Sequence, residues 1–164
     1  MKAAIQPTSA LAGTIVWASS PTLTGNTTPV ILPVPAGCTN SYPKSVAVNG
    51  ATVYVVGFSH YVASDGTAYA ATQWTVNAAT GAVTETRLFV TDLSGRYDSQ
   101  ANSVYVFRNN VYVAGYVMDY GTGISNQERW KIVTWKNGVK TEWGNPSSAR
   151  YQYNKPSSIF VTDK

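Results

Sequence analysis

The stretch NSVYVFRNNVYVAGY, at residues 102–116, repeats an earlier stretch of the chain, KSVAVNGATVYVVGF at residues 44–58. Ser103 aligns with Ser45 at a spacing of 58 positions, and the alignment continues without a gap to the end of both stretches. Serine, valine, tyrosine and glycine recur at the same places. A chain that repeats itself in this way is expected to fold from small, similar units.

A third copy of the pattern is split between the two ends of the chain. KPSSIFVTDK, at residues 155–164, resembles the start of each copy, and GTIVWASS at residues 13–20 resembles ATVYVVGFS at residues 51–59. We therefore predict a single domain of three circularly permuted repeats that together account for all 164 residues. The repeats are placed at residues 45–102, residues 103–157, and residues 158–164 joined to residues 1–44.

Each copy is predicted to contain four short antiparallel strands. Val, Thr, Tyr and Trp are frequent and alternate with other residues, as in half-buried strands. Asn49-Gly50 and Asn137-Gly138 separate such runs, and both residue types tolerate the positive φ of two-residue hairpin turns. In the copy that begins at Ser103, the strands are predicted at residues 103–108, 111–118, 129–136 and 139–143. A repeated four-stranded unit of this length is typical of a propeller blade.

The motif VYVAGY, followed downstream by WKNG, makes the chain resemble β-propeller proteins, in particular blade repeats of bacterial propellers of unassigned activity. It has neither the Gly-His and Trp-Asp signatures of WD repeats nor the double glycine typical of kelch repeats. The resemblance implies an all-β half-propeller of three four-stranded blades. It assigns no narrower family.

Three blades are too few for a closed ring, because propellers usually close with about four to eight. We expect a C2 homodimer with six blades, in which residues 158–164 of one chain pair with residues 13–20 of the other. The alternative is that the chain is part of a longer propeller or needs another partner.

Composition excludes several classes of function. Charged residues make up 12% of the chain, the net charge is +4, and the basic residues are scattered, so we expect no nucleic-acid partner. Cys38 is the single cysteine, which excludes an intrachain disulfide and a cysteine-based zinc site. No stretch is long enough to span a membrane. We expect no metal and no cofactor, since no calcium-loop spacing occurs either.

The candidate site lies on the propeller face that carries the long loops. Loops between second and third strands, and between blades, are predicted to be long at residues 59–71, 91–102, 117–128 and 144–156. They are rich in Tyr, Asp and Arg, a mixture suited to sugars because aromatic faces stack on pyranose rings and polar groups bind hydroxyls. The candidate ligand-binding residues are His60, Tyr61, Asp65, Tyr97, Asp119, Tyr120, Arg129 and Tyr151.

The sequence favours a non-enzymatic binding or interaction protein, with a glycan as the candidate small ligand and a protein as the other. The aromatic loops recur, whereas no catalytic set does. His60 is the one histidine, and it cannot form a dyad with Ser59 because neighbouring strand residues point to opposite faces. The alternative is a polysaccharide hydrolase or lyase with acidic residues near the propeller axis. The tryptophans on third strands, Trp74, Trp130 and Trp135, are predicted to pack between blades.

Overall fold

The computed structural model describes residues 2–7, 13–18, 30–63, 66–88, 97–120, 128–143 and 155–163. Within these ranges the chain is all-β and contains no helix, as predicted. The strands are β1 (Lys2–Pro7), β2 (Gly13–Ala18), β3 (Val30–Ile31), β4 (Cys38–Asn49), β5 (Thr52–Ala63), β6 (Gly66–Asn77), β7 (Val83–Arg87), β8 (Tyr97–Phe107), β9 (Asn110–Tyr120), β10 (Glu128–Lys136) and β11 (Val139–Trp143).

The chain forms two four-stranded antiparallel sheets, each with its strands in sequence order. The first sheet contains β4, β5, β6 and β7, and the second contains β8, β9, β10 and β11. A third sheet joins β1, β2 and β3, with β2 in the middle. Sequential hairpin connections explain the order, because each strand pairs with the strand that precedes it.

The tight turns lie close to where the Asn and Gly residues predict them. Asn137 and Gly138 form the β10–β11 turn, with φ values of 51° and 84°. The β8–β9 turn falls one residue earlier than predicted, at Arg108 and Asn109, whose φ values are 47° and 62°. Asn137 stabilises this end of the sheet, because its Oδ1 accepts a hydrogen bond of 2.8 Å from the Val111 amide.

A bulge stands opposite a glycine in both four-stranded sheets. The register shifts between Pro43 and Ser45 opposite Gly57, and the equivalent shift in the second sheet stands opposite Gly115. A methyl group on either glycine would overlap a backbone carbonyl oxygen of the bulged strand. Glycine is therefore required at both matching positions, because only it allows the bulged strand to approach this closely.

The core lies between the sheets and is arranged in two layers. One layer packs the first sheet against the second and includes Val56, Ala71 and Val113. The other layer covers the opposite face of the first sheet, where Val30 and Leu32 meet residues of β5 and β6. The first sheet is therefore buried on both faces, which suits strands with long runs of Val and Ala.

Two tryptophans connect successive sheets in the same way. The Trp74 indole nitrogen donates a 2.9 Å hydrogen bond to the Pro33 carbonyl, and the Trp135 indole nitrogen donates a 3.0 Å bond to the Leu88 carbonyl. Both indoles are fully buried. Each indole therefore joins its own sheet to the segment that precedes it.

The two ends of the described chain differ from the predicted arrangement. The sequence predicts that residues 158–164 are a first strand, whereas residues 155–163 form no strand and lie along β8. Within the single chain, β1 pairs with one edge of β2 and lies alongside β4. Closure through a second copy therefore requires β1 to leave that edge.

The long loop predicted at residues 59–71 is wrong. β5 continues to Ala63 and β6 begins at Gly66, so this segment is a hairpin. Likewise β9 extends to Tyr120, and β8 begins at Tyr97 inside a predicted connection between blades. The aromatic residues that suggested binding loops also favour strands, and here they prolong the ladders.

Candidate functional site

The predicted site residues fall into three groups. His60 and Tyr61 lie on β5, while Asp65 and Tyr151 lie outside the described residues. The remaining four lie at one end of the second sheet. Asp119 on β9 pairs with Tyr97 on β8 and with Arg129 on β10, so these three residues form one row across the sheet. Tyr120, which pairs with Glu128, lies in the next row.

Tyr61 is a core residue. Its side chain is 4% exposed and packs with Ala68, Ala70 and Cys38 on the face of β5 opposite to His60. Burial raises the pKa of the Cys38 thiol, although the Arg87 guanidinium opposes this effect. The thiol therefore stays protonated, as expected for a structural cysteine.

His60 is part of a row of aromatic side chains on the first sheet. The Tyr42 and Phe58 rings stack with centroids 4.8 Å apart, and the Tyr69 ring meets Phe58 edge-on at 5.1 Å. The His60 ring stacks on Tyr69 at 5.2 Å. Lys44 places its Nζ 5.4 Å from the Phe58 ring centre. The row follows from strand register, because Tyr42 pairs with Phe58 and His60 pairs with Tyr69.

The hydrogen bonds of Thr39 indicate which nitrogen of His60 carries the proton. The Thr39 hydroxyl lies 3.2 Å from the His60 carbonyl oxygen and 3.3 Å from Nδ1. Because a hydroxyl has one proton and the carbonyl can only accept it, the Thr39 oxygen accepts from Nδ1–H. His60 Nε2 is then an acceptor.

This second nitrogen of His60 has no partner. Among the buried side-chain nitrogen and oxygen atoms that the structure describes, Nε2 is the one without a hydrogen bond. A buried acceptor left unsatisfied is costly and is often explained by a group that binds there. The matching group is a hydroxyl or N–H donor.

The equivalent end of the second sheet carries a different cluster. The Tyr116 and Trp130 rings lie 4.7 Å apart. Lys155 places its Nζ 4.3 Å from the Trp130 ring centre and 5.3 Å from that of Tyr116. Through this cation–π contact Trp130 also helps to hold residues 155–163 against the sheet.

Asp98 connects the two aromatic clusters. Its Oδ1 accepts a 2.8 Å hydrogen bond from the Tyr69 amide, and the neighbouring Ser99 hydroxyl accepts a 2.9 Å bond from the Ala71 amide. Burial raises the pKa of the Tyr116 phenol well above its usual value, and the charges of Asp98 and Tyr69 add to this effect. The three groups are therefore close enough to interact electrostatically.

The result is a mixed aromatic and polar region at one end of the two sheets, which we call the inter-sheet cluster. Phe58 and His60 alternate in step with Val56 and so face the second sheet, whereas Tyr116 and Trp130 lie on the face of the second sheet that points away from the first. The cluster contains Tyr42, Phe58, His60, Tyr69, Asp98, Tyr116, Trp130 and Lys155. Of the eight residues in this cluster, His60 alone is also a candidate predicted from the sequence. Pairing of β5 with β6 could have added Tyr69 and Phe58, because they follow the same alternation as His60. The approach of Lys155 has no comparable signal.

The described part of the chain shows no group of three or more His, Cys, Asp or Glu residues that could hold a metal ion. Nor do its described residues include a helix long and apolar enough to cross a membrane. The inter-sheet cluster offers one carboxylate, one imidazole acceptor, the Lys155 ammonium group and several ring faces, and the Lys44 ammonium group lies 5.4 Å from the Phe58 ring centre. Comparison of the chain with protein-family models, with curated proteins and with solved structures finds no match.

Proposed function

We propose that the protein is a binding protein of the β-propeller type that holds a glycan at the inter-sheet cluster. The observation that carries this proposal is the buried Nε2 of His60, which lacks a donor beside stacked aromatic rings. The two four-stranded sheets are consecutive blades, and a second copy of the chain supplies the blades that complete a six-bladed ring.

The residues of the cluster suit a sugar for chemical reasons. A sugar ring presents C–H faces that stack on aromatic side chains and hydroxyls that both donate and accept. His60 Nε2 can accept from a hydroxyl and Lys155 can donate to one. Tyr42 is 43% exposed and stacks on Phe58, so its outer face is available for stacking.

Binding is favoured over hydrolysis by the number of carboxylates. Glycoside hydrolysis usually needs two acids that flank the scissile bond. In the described cluster the carboxylate is Asp98, and the Tyr69 amide already donates to it. Turnover of polysaccharides, lost on replacement of Asp98 or Asp119, would instead support the alternative of a hydrolase or lyase.

The binding proposal is tested with a glycan array, followed by titration calorimetry on each sugar that binds. Tyr42→Ala should weaken binding about tenfold, since an aromatic stacking contact contributes about 1 kcal/mol. Tyr112→Ala is the matched control. Tyr112 lies on the second sheet, where it pairs with Tyr105 near the β8–β9 turn, at the end away from the cluster. A silent array, or equal losses for both variants, would contradict the proposal.

The ring closure is tested by light scattering on a size-exclusion column. A mass near twice 17.6 kDa is expected for the six-bladed dimer. A monomer at all concentrations would rule out closure by a second copy. The binding proposal would then have to stand on the two described sheets alone.

A further inference from the structure

The two four-stranded sheets and the segment 155–163 are linked by a contact that occurs twice. The Ser45 hydroxyl accepts a hydrogen bond of 3.2 Å from the Val104 amide. The Ser103 hydroxyl accepts one of 3.2 Å from the Ile159 amide. In each case a serine at the start of one copy bonds the following position of the next copy, so the contact sets the register between neighbouring copies.

Both serines occupy the same place in their sheets. Ser45 pairs with Val56 and Ser103 pairs with Ala114, immediately after the bulge. When residues 13–20 are aligned with residues 51–59, Ala18 matches Val56. Ala18 pairs with Lys2 of β1.

β1 cannot repeat this contact. A lysine ammonium carries three donors and no acceptor, whereas the contact needs an oxygen that accepts from a backbone amide. The serine of the third copy is Ser158, which precedes Ile159 as Ser45 precedes Val46. The residue that matches the pattern is therefore at the other end of the chain from β1.

The amide that would donate to Ser158 is that of Val46. Val46 pairs with Val55 as Val104 pairs with Val113, so its N–H points toward the same open edge as that of Val104. At this edge the Val104 N–H donates a hydrogen bond to the Ser45 hydroxyl. In the single chain β1 lies alongside β4.

The segment that contains Ser158 is available to another chain. Ser158 is exposed, and Phe160 is 71% exposed although its ring contacts Tyr105 at 5.0 Å. The Ile159 amide and the ion pair of 2.5 Å between Arg108 and Asp163 hold the segment along β8. The segment therefore lies where the first strand of a following sheet would lie. The described part of this chain supplies no other strand of such a sheet for it to pair with.

We propose that residues 158–163 displace β1 from β2 of a second copy, with Ser158 in the register of Lys2 and its hydroxyl accepting from the second copy's Val46 amide. This inference rests on the dimeric closure proposed above and specifies its register. The occupant of the β2 edge is a second copy of this chain because Ser158 continues the hydroxyl-to-amide series.

The register is tested by paired cysteines in a Cys38→Ser background. Ser158→Cys with Val46→Cys should give an oxidised dimer on a non-reducing gel. Ser103→Cys with Ile159→Cys is the control within one chain, since the same contact is seen there, and it should lose its thiols without a change in mass. A dimer-forming protein whose control pair reacts while the Ser158 pair does not would overturn the register.

A second measurement does not depend on disulfide geometry. Ser158→Ala should raise the dimer dissociation constant about tenfold, because a C2 dimer loses two hydrogen bonds. The neighbouring exposed Ser157→Ala should leave the constant unchanged. Equal effects would overturn the inference. Wild-type protein that stays monomeric would instead refute the closure itself, so the two failures are distinguishable.

Discussion

Replacement of Gly115 by alanine tests the close approach of β8 to β9. The added methyl group would lie 2.9 Å from a Trp135 ring carbon and 3.0 Å from the Ala101 Cα, and it would overlap the Gln100 carbonyl oxygen. Carbon–oxygen contacts normally begin at about 3.3 Å. Backbone is the main obstacle, so β8 has to move away from β9 at the bulge.

The cost of this movement can be worked from its parts. Overpacking of a tight core costs about 1–3 kcal/mol. Separation of the strands at the bulge weakens about two ladder hydrogen bonds, each worth about 1 kcal/mol. We therefore expect Gly115→Ala to lower the free energy of unfolding by about 3–5 kcal/mol.

Gly138→Ala is the matched control. Its φ of +84° is unfavourable for alanine, yet no atom lies within 4 Å of the added methyl group. We expect a loss of about 1–2 kcal/mol from backbone conformation alone. In urea unfolding followed by tryptophan fluorescence, the midpoint of Gly115→Ala should lie about 1 M below that of the control. Equal midpoints would refute the argument that steric overlap explains this glycine.

Three further outcomes are expected. Trp74→Phe and Trp135→Phe should each cost about 2 kcal/mol in urea unfolding, because a carbonyl loses its buried donor, whereas Trp143→Phe, at a residue 56% exposed, should cost under about 0.5 kcal/mol. Burial raises the pKa of the Tyr116 phenol, so this group should stay neutral as the pH rises past about 10, where phenols of the unfolded chain ionise. The fold therefore loses stability above that pH, and Tyr116→Phe should remove this loss in alkaline denaturation curves. Lys155→Met should lower the free energy of unfolding by about 0.5–1 kcal/mol, seen in thermal unfolding.

Much of the fold follows from local features of the sequence. The strands of the second sheet, the turn at Asn137 and Gly138, and the tight glycines follow from alternation and backbone chemistry. Trp74 and Trp135 follow from their place on third strands. These features are predictable because each depends on a residue and its immediate neighbours.

The site was less predictable because it depends on contacts between sheets. The sequence predicts a loop at Asp98. In the structure β8 already begins at Tyr97, and the Asp98 carboxylate accepts a hydrogen bond from the Tyr69 amide. The Lys155 contact with Trp130 joins positions of different elements without any periodicity. The pairing of β1 with β2 was also missed, since Lys2–Pro7 has little likeness to the other first strands.

The two sheets share their scaffold but differ at the positions that form the inter-sheet cluster. The glycine, bulge and indole contacts recur, whereas His60 on β5 corresponds to Met118 on β9 and Tyr69 corresponds to Trp130, as the pairings of His60 with Tyr69 and of Met118 with Trp130 show. A thioether is a much weaker hydrogen-bond acceptor than the imidazole nitrogen. One end of the cluster is therefore an acceptor beside tyrosine, and the other is the Lys155 cation over tryptophan. In the proposed glycan complex a ligand would therefore meet different chemistry on the two sheets, which two identical repeats could not offer.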